Sequence, residues 1–301
     1  GKPTQLLGDV AANNSGSETS GQFGFSNNGT FVYLSGKALS GAYPISWLDS
    51  AGKLTPVVAE PGAYGSPRIS PDGKLLAYTS AANGGSEESS DLWIYDLARG
   101  MPRQLSFNGE VLDEVAWARD SKHLAYHDGK SLWWIRADGA GQKQLLLDGK
   151  ELGPAPMGPR PFSFGPSRLA FAPAPGALPD IWTLPVDVSD PERPKPGKPE
   201  VFLAGPGVDV DPAFSPDGKF LAYVSGSPTE IFVRPFPGPG GMWKVSTAGG
   251  QFPIWPPATQ EIFYLAPNDH LMVASYSIQG DSFSAGVPRV WSVPESRACG
   301  R

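Results

Sequence analysis

Ser66-Pro-Arg-Ile-Ser-Pro-Asp-Gly-Lys-Leu-Leu-Ala-Tyr78 and Asp211-Pro-Ala-Phe-Ser-Pro-Asp-Gly-Lys-Phe-Leu-Ala-Tyr223 are two copies of one pattern: a short strand, a Ser-Pro-Asp-Gly turn and a second, apolar strand. Proline presets φ near −65° at the second turn position, the aspartate carboxylate folds onto nearby backbone N–H groups, and glycine takes the left-handed conformation that closes a hairpin. Four further stretches follow the same plan. With Phe25, Ile69, Trp117, Phe164, Phe214 and Trp255 as anchors, the intervals are 44, 48, 47, 50 and 41 residues. A strand-only period of that size is the signature of a β-propeller with one four-stranded blade per repeat. The expected fold is therefore all-β: a six-bladed β-propeller of four-stranded antiparallel blades.

The chain has 301 residues, and six periods account for nearly all of it, so it reads as a single propeller domain with blades over 21–60, 65–108, 113–148, 160–204, 209–247 and 251–293. Alternation places the strands of the second copy at 67–70, 75–79, 92–96 and 103–107, with equivalent sets in the third and fifth copies. First-strand aromatics such as Trp117, Phe214 and Trp255 are expected to fill the wedges between blades. Residues 1–8 resemble an outermost strand and could close the sixth blade, although the segment after Arg289 could already hold that place. Residues 185–200, with five prolines and mixed charges, read as a stiff exposed loop between the third and fourth strands of the fourth copy.

Composition narrows the function classes. Glycine (37) and proline (33) are abundant but recur at turn positions, punctuating strands. The net charge of −6 is spread without a basic run, which disfavours nucleic acid as a partner. The single cysteine, Cys299, excludes an internal disulfide and a cysteine-based zinc site. No apolar stretch is long enough to span a bilayer, so no membrane insertion by this chain is expected. The opening Gly-Lys-Pro-Thr-Gln is neither a signal peptide nor an initiator-methionine start, as expected for a soluble piece of a longer product.

Common catalytic signatures are absent: no Gly-x-Ser-x-Gly elbow, no His-Glu-x-x-His, no phosphate-binding loop and no dinucleotide fingerprint. Of the three histidines, His123 and His127 stand four apart on one strand, about 13 Å, too far for one metal ion. No metal and no cofactor are expected.

A propeller gathers the starts of its innermost strands around one mouth of the central channel, where ligands commonly bind. Gln22, Arg68, Asp113, Glu114, Arg160, Asp209, Asp211 and Gln251 are assigned to that mouth. Arg68 and Arg160 are expected at equivalent locations, as are Gln22 and Gln251. Two readings stay open: these groups cap loops and pair with one another, or they present a ring of mixed charge to a polar ligand, a peptide end or a cation.

The Ser-Pro-Asp-Gly-Lys-x-Leu-Ala-Tyr units, followed by Asp91-Leu-Trp-Ile-Tyr-Asp-Leu-Ala-Arg-Gly100, resemble TolB-type, WD-like propeller repeats. The run Val233-Arg-Pro-Phe-Pro-Gly-Pro-Gly-Gly-Met-Trp-Lys-Val-Ser-Thr-Ala-Gly-Gly250 is similar to the C-terminal propeller of bacterial transmembrane serine/threonine protein kinases. Phe263-Tyr-Leu-Ala-Pro-Asn-Asp-His-Leu-Met272 and Asn28-Gly-Thr-Phe-Val-Tyr33 carry the same resemblance. It implies an extracytoplasmic, catalytically silent sensor propeller, belonging to a membrane-anchored parent and meeting a protein, peptide or glycan at the channel mouth. Ala118-Arg-Asp-Ser121, Gly165-Pro-Ser167 and Pro256-Pro-Ala-Thr259 depart from the usual turn, and free-standing periplasmic TolB-like scaffolds share the repeats. Two enzyme alternatives stand beside this. One is a glycosidase-like hydrolase or lyase with Glu114 and Asp211 as acid and base. The other is the propeller cap of a prolyl oligopeptidase-like peptidase.

Overall fold

The structure is a computed structural model that describes residues 23–25, 31–34, 43–81, 90–153, 158–173, 181–205, 207, 209–280 and 282–292. Its strands form six antiparallel sheets. The first holds β1 (Phe23–Phe25), β2 (Phe31–Leu34), β3 (Tyr43–Leu48) and β4 (Leu54–Gly62). The second holds β5 (Tyr64–Ile69), β6 (Leu75–Ala81), β7 (Ser90–Asp96) and β8 (Met101–Gln104). The third holds β9 (Leu112–Trp117), β10 (His123–His127), β11 (Ser131–Arg136) and β12 (Gln144–Asp148). The fourth holds β13 (Arg160–Phe164), β14 (Arg168–Ala172), β15 (Ile181–Asp187), β16 (Lys195–Pro196) and β17 (Glu200–Leu203). The fifth holds β18 (Asp209–Phe214), β19 (Phe220–Ser225), β20 (Glu230–Pro235) and β21 (Trp243–Lys244). The sixth holds β22 (Gln251–Ile254), β23 (Glu261–Leu265), β24 (Leu271–Gln279), β25 (Ser282–Ala285) and β26 (Arg289–Ser292). The one helical element among the described residues is a 3-10 turn over Gly149–Leu152, and no helix among them is long and apolar enough to cross a membrane.

The innermost strands lie side by side in chain order from β1 to β22, and the apolar core lies between the sheets. Among the described residues there are six buried clusters, one at each seam. Ile45 and Val58 meet Ile69, Leu76 and Tyr78; Leu92 and Ile94 meet Trp117 and Tyr126; Trp134 and Leu147 meet Phe171 and Leu184. Ala170 and Ile181 meet Phe214 and Tyr223, and Val233 and Val245 meet Trp255 and Phe283. The sixth cluster joins Leu48 of the first sheet to Phe252, Phe263, Leu265, Leu271 and Val273 of the last, so the ring closes. The molecule is a six-bladed β-propeller.

The expected aromatic wedges are in place. Trp117, Phe214 and Trp255 are buried, and each tryptophan also donates its indole N–H across a seam: Trp117 to the Arg68 carbonyl at 2.9 Å, Trp255 to that of Ala213 at 3.0 Å. The Ser-Pro-Asp-Gly turns fold as their residues dictate. Ser70 donates its hydroxyl to Asp72 Oδ1 at 2.7 Å and accepts the Leu75 N–H at 2.9 Å; Ser215, Asp217 and Phe220 repeat this at 2.7 and 3.0 Å. Gly73 and Gly218 sit at φ 73° and 72°, where a side chain is strained.

A second device holds the outer strands. Asp91, at the start of β7, accepts from the Gly109 N–H at 3.0 Å and from the Gln104 amide at 3.0 Å, while Ser106 Oγ accepts the Leu92 N–H at 2.7 Å. In blade five Glu230 takes the same place: it accepts from the Gly249 N–H, from Ser246 and from Lys244, while Ser246 Oγ accepts the Ile231 N–H at 2.8 Å.

Three expectations change. In blades four and six the third strand is long, and two short strands share its outer edge: β17 and β16 on β15, β26 and β25 on β24. The outermost place of blade six is thus held by residues near Arg289; residues 1–8 lie outside the described residues. The outer strand of blade two runs from Met101 to Gln104 rather than 103–107, because Leu105 and Ser106 turn inward and are buried. Finally, residues 185–200 do not hang free. β16 pairs with β15, and the connecting turn docks on blade three, where Trp134 donates its indole N–H to the Pro191 carbonyl at 2.9 Å and Gln144 donates its amide to that of Glu192 at 2.7 Å. The Glu192 carboxylate accepts from Arg136 at 2.7 Å, making the segment a strap between blades three and four.

Candidate functional site

Four of the charged residues read from the sequence meet inside the ring. Glu114 on β9 is 4% exposed, and Arg68 on β5, Arg160 on β13 and Asp211 on β18 are half-buried. Arg68 and Arg160 both act electrostatically on Asp211, and Arg68 also acts on Glu114. Blades two and five are opposite each other in a six-bladed ring. The charge coupling between Arg68 and Asp211 therefore acts across the lumen.

The electrostatics follow from desolvation and neighbouring charge. Burial pushes Asp211 up to about 7, helped by the Glu114 charge, while the Phe252 N–H and the guanidiniums of Arg68 and Arg160 pull the other way. Burial lowers both arginines; Glu114 and then Asp211 oppose this at Arg68, and Asp211 opposes it at Arg160. Asp211 is thus a carboxyl raised well above the ordinary carboxylate range, with two guanidiniums and another acid acting on it.

The backbone is bent to put it there. Ser66, Asp211 and Phe252 take φ 44°, 53° and 56°, each immediately before a proline and each inside a break in the register of the innermost strand with its neighbour. These are β-bulges, which re-aim a side chain at the cost of about 1 kcal/mol or more for a left-handed non-glycine residue. The bulge at Phe252 presents the N–H that Asp211 accepts.

The other assigned residues are placed differently. Arg68 and Arg160 are not at equivalent strand positions: Arg160 pairs with Ala172, whereas Arg68 pairs with Ala77, the counterpart of Ala170. Both nonetheless act electrostatically on Asp211, from two different strand positions. Asp209 is buried at the start of β18, but its charge acts on Tyr223, in the packing between blades four and five, and its Oδ1 has no hydrogen-bond partner. Gln251 is half-buried beside Phe252. Gln22 and the side chain of Asp113 lie outside the described residues.

One group was missed by sequence reasoning. His127 on β10 is 2% exposed, its Nε2 stands 3.5 Å from Glu114 Oε2, and neither ring nitrogen has a hydrogen-bond partner. His123, on the same face of the strand, has a separate life: it bonds Asp120 at 2.6 Å and stacks on Trp134. The local signal for His127 was its alternation with His123, but nothing local says that the Glu114 carboxylate of the neighbouring strand lies beside it. Among the described residues no cluster of histidine, cysteine or carboxylates is arranged to hold a metal ion.

No protein-family model matches the chain, and no curated protein matches it in sequence. Solved structures do. A putative TolB from Agrobacterium tumefaciens superposes with a TM-score of 0.60 at 17% identity, over 84% of this chain and 91% of that one. TolB from Acinetobacter baumannii gives 0.59 at 17% identity, over 82% of this chain, which spans only 61% of that structure. An oligogalacturonate lyase in complex with manganese gives 0.52 at 16% identity, over 87% of this chain and 75% of that one. At these identities the likeness is one of fold, and in fold the chain is a TolB-like β-propeller.

Proposed function

We propose that this propeller is a non-enzymatic binding module that recognises a protein, peptide or glycan at its central channel. The observation that carries the reading is the convergence of Arg68, Glu114, Arg160 and Asp211 from four successive blades into a half-buried lumen. Charges in such a place make strong polar contacts because little water screens them. The sequence resemblance to kinase-borne propellers supports a finer reading: the extracytoplasmic sensor portion of a membrane-anchored bacterial serine/threonine kinase.

A second reading rests on Asp211. A carboxyl pushed up to about 7 beside Glu114 is the kind of pair that hydrolases and lyases use as acid and base. Screening against glycan, peptide and small-molecule libraries, repeated with Glu114→Gln and Asp211→Asn, separates the two. Binding without turnover, altered by those changes, supports the module. Turnover of a glycoside or polyuronide abolished by them overturns it in favour of the enzyme, and binding indifferent to them moves the site out of the channel. The kinase attachment is tested by the gene's full reading frame, where a free-standing secreted propeller would refute it.

A further inference from the structure

The strap between blades three and four ends its docking on a buried histidine. Its turn brings the Glu192 carboxylate to blade three, where Arg136 donates to Oε1 at 2.7 Å and His123 Nε2 stands 3.7 Å from the same oxygen. The other ring nitrogen of His123, Nδ1, lies 2.6 Å from Asp120 Oδ2. The imidazole is thus buried between two carboxylates and stacked on Trp134, whose indole N–H holds the Pro191 carbonyl of the same turn. An ionised carboxylate only accepts, so Nδ1 carries its proton toward Asp120. Nε2 is then either a bare lone pair or a second N–H. As a lone pair it has no donor among the described residues and meets the Glu192 oxygen acceptor against acceptor; as a charged N–H it meets that oxygen with opposite charge. The other charges nearby leave this sign unchanged. Arg136, opposite His123 in the β10–β11 register, is shared between Asp138 and Glu192, Lys122 is exposed, and Asp190 and Arg193 flank Glu192 with opposite charges.

We propose that His123 is a pH-sensitive latch on the strap: a proton on Nε2 fastens Glu192, and with it the strap, to blade three, and loss of that proton loosens it. Stabilisation of this kind is full at the acid end and is lost as pH rises through the titration of the histidine. Arg136, the Trp134 indole and the Gln144 amide hold the strap at any pH, so deprotonation makes opening more frequent without unfolding the blade. An opened strap withdraws Val188 from the apolar cluster of Leu147, Leu184 and Val186 and uncovers the Trp134 indole N–H and the Gln144 amide. The seam between blades three and four thereby offers a pH-dependent surface, separate from the central channel.

Hydrogen exchange over residues 189–197, read by mass spectrometry and corrected for the intrinsic pH dependence of exchange, measures the opening directly. The Arg193 and Gly197 N–H groups bond the Asp190 and Pro185 carbonyls, and their protection reports the docked strap. Between about pH 5 and 8 that protection should fall at least about threefold, as loss of one linked proton requires. Glu192→Gln should abolish or reverse the fall, because its amide can accept from Arg136 and donate to the neutral Nε2. Glu192 is exposed, so this variant keeps the fold. His123→Gln should be level as well; if that buried change unfolds the chain, the Glu192→Gln profile decides. Protection that is level across this range in the wild type, or that falls equally in Glu192→Gln or in a folded His123→Gln, overturns the latch. So do ring-nitrogen resonances of neutral His123 that place its proton on Nε2.

Discussion

Replacing Gly218 with alanine tests two features of the propeller at once. Gly218 sits at φ 72°, and a Cβ built on it would lie 2.2 Å from Pro166 Cδ and 2.6 Å from its Cγ, in the equivalent turn of blade four. The left-handed backbone alone costs an alanine about 1–2 kcal/mol. The collision adds about 1–3 kcal/mol, because a proline ring cannot swing aside as the end of a flexible side chain would. Gly280 separates the terms, with φ 61° and nothing within 4 Å of its would-be Cβ. Gly280→Ala should therefore cost about 1–2 kcal/mol and Gly218→Ala about 2–5 kcal/mol. At about 2 °C per kcal/mol for a chain of this length, the melting temperatures should fall by about 2–4 °C and 4–10 °C. Urea titrations of both variants, with Pro166→Ala and the Pro166→Ala/Gly218→Ala double variant, complete the cycle, and the double variant should recover most of the difference. Equal losses at Gly218 and Gly280 would show that the turns of adjacent blades are not packed as described.

Asp211→Asn should alter the pH dependence of stability. The pKa of Asp211 is raised from 3.8 to about 7, so the folded state binds the proton more tightly than the unfolded state; that stabilisation is full below about pH 4 and lost as pH rises through about 7. The variant should gain on the wild type steadily from pH 4 to 7, by at most about 4 kcal/mol, and no further above; parallel profiles would refute the raised pKa. Trp255→Phe leaves the Ala213 carbonyl without its indole donor and should cost about 1–3 kcal/mol beyond the change in apolar packing, read by urea denaturation. Trp134→Phe removes the donor to the Pro191 carbonyl, so a protease that cuts after glutamate should cleave at Glu192 faster than in the wild type, with unchanged rates refuting the docked strap.

The six blades were legible because their turns are chemically local. Serine, aspartate and glycine within four residues make the hairpin bonds themselves, and the apolar anchor stands immediately before the serine, so periodicity reports architecture directly. That Arg68, Glu114, Arg160 and Asp211 lie on innermost strands was legible for the same reason, since the period marks the first strand of each unit. Depth was not. Bulges at Ser66, Asp211 and Phe252 break the count along the strand, although the proline after each was a sign of irregular pairing. Contacts between remote segments left no local trace either. Trp134 and the Pro191 carbonyl are 57 residues apart, and a proline-rich stretch with mixed charges looks the same whether it is solvated or strapped to a neighbour.

Among the described residues every blade is made of consecutive chain, and the seam between first and last, where Leu48 meets Phe252 and Leu271, is of the same apolar kind as the other five. A ring joined this way has no privileged starting point. New termini opened between β12 and β13, or between β17 and β18, would leave every sheet intact and ask only that a linker cover the old gap. The order in which blades leave a ribosome would then change while the finished circle did not, which makes this propeller a candidate for circular permutation and for reassembly from two co-expressed halves.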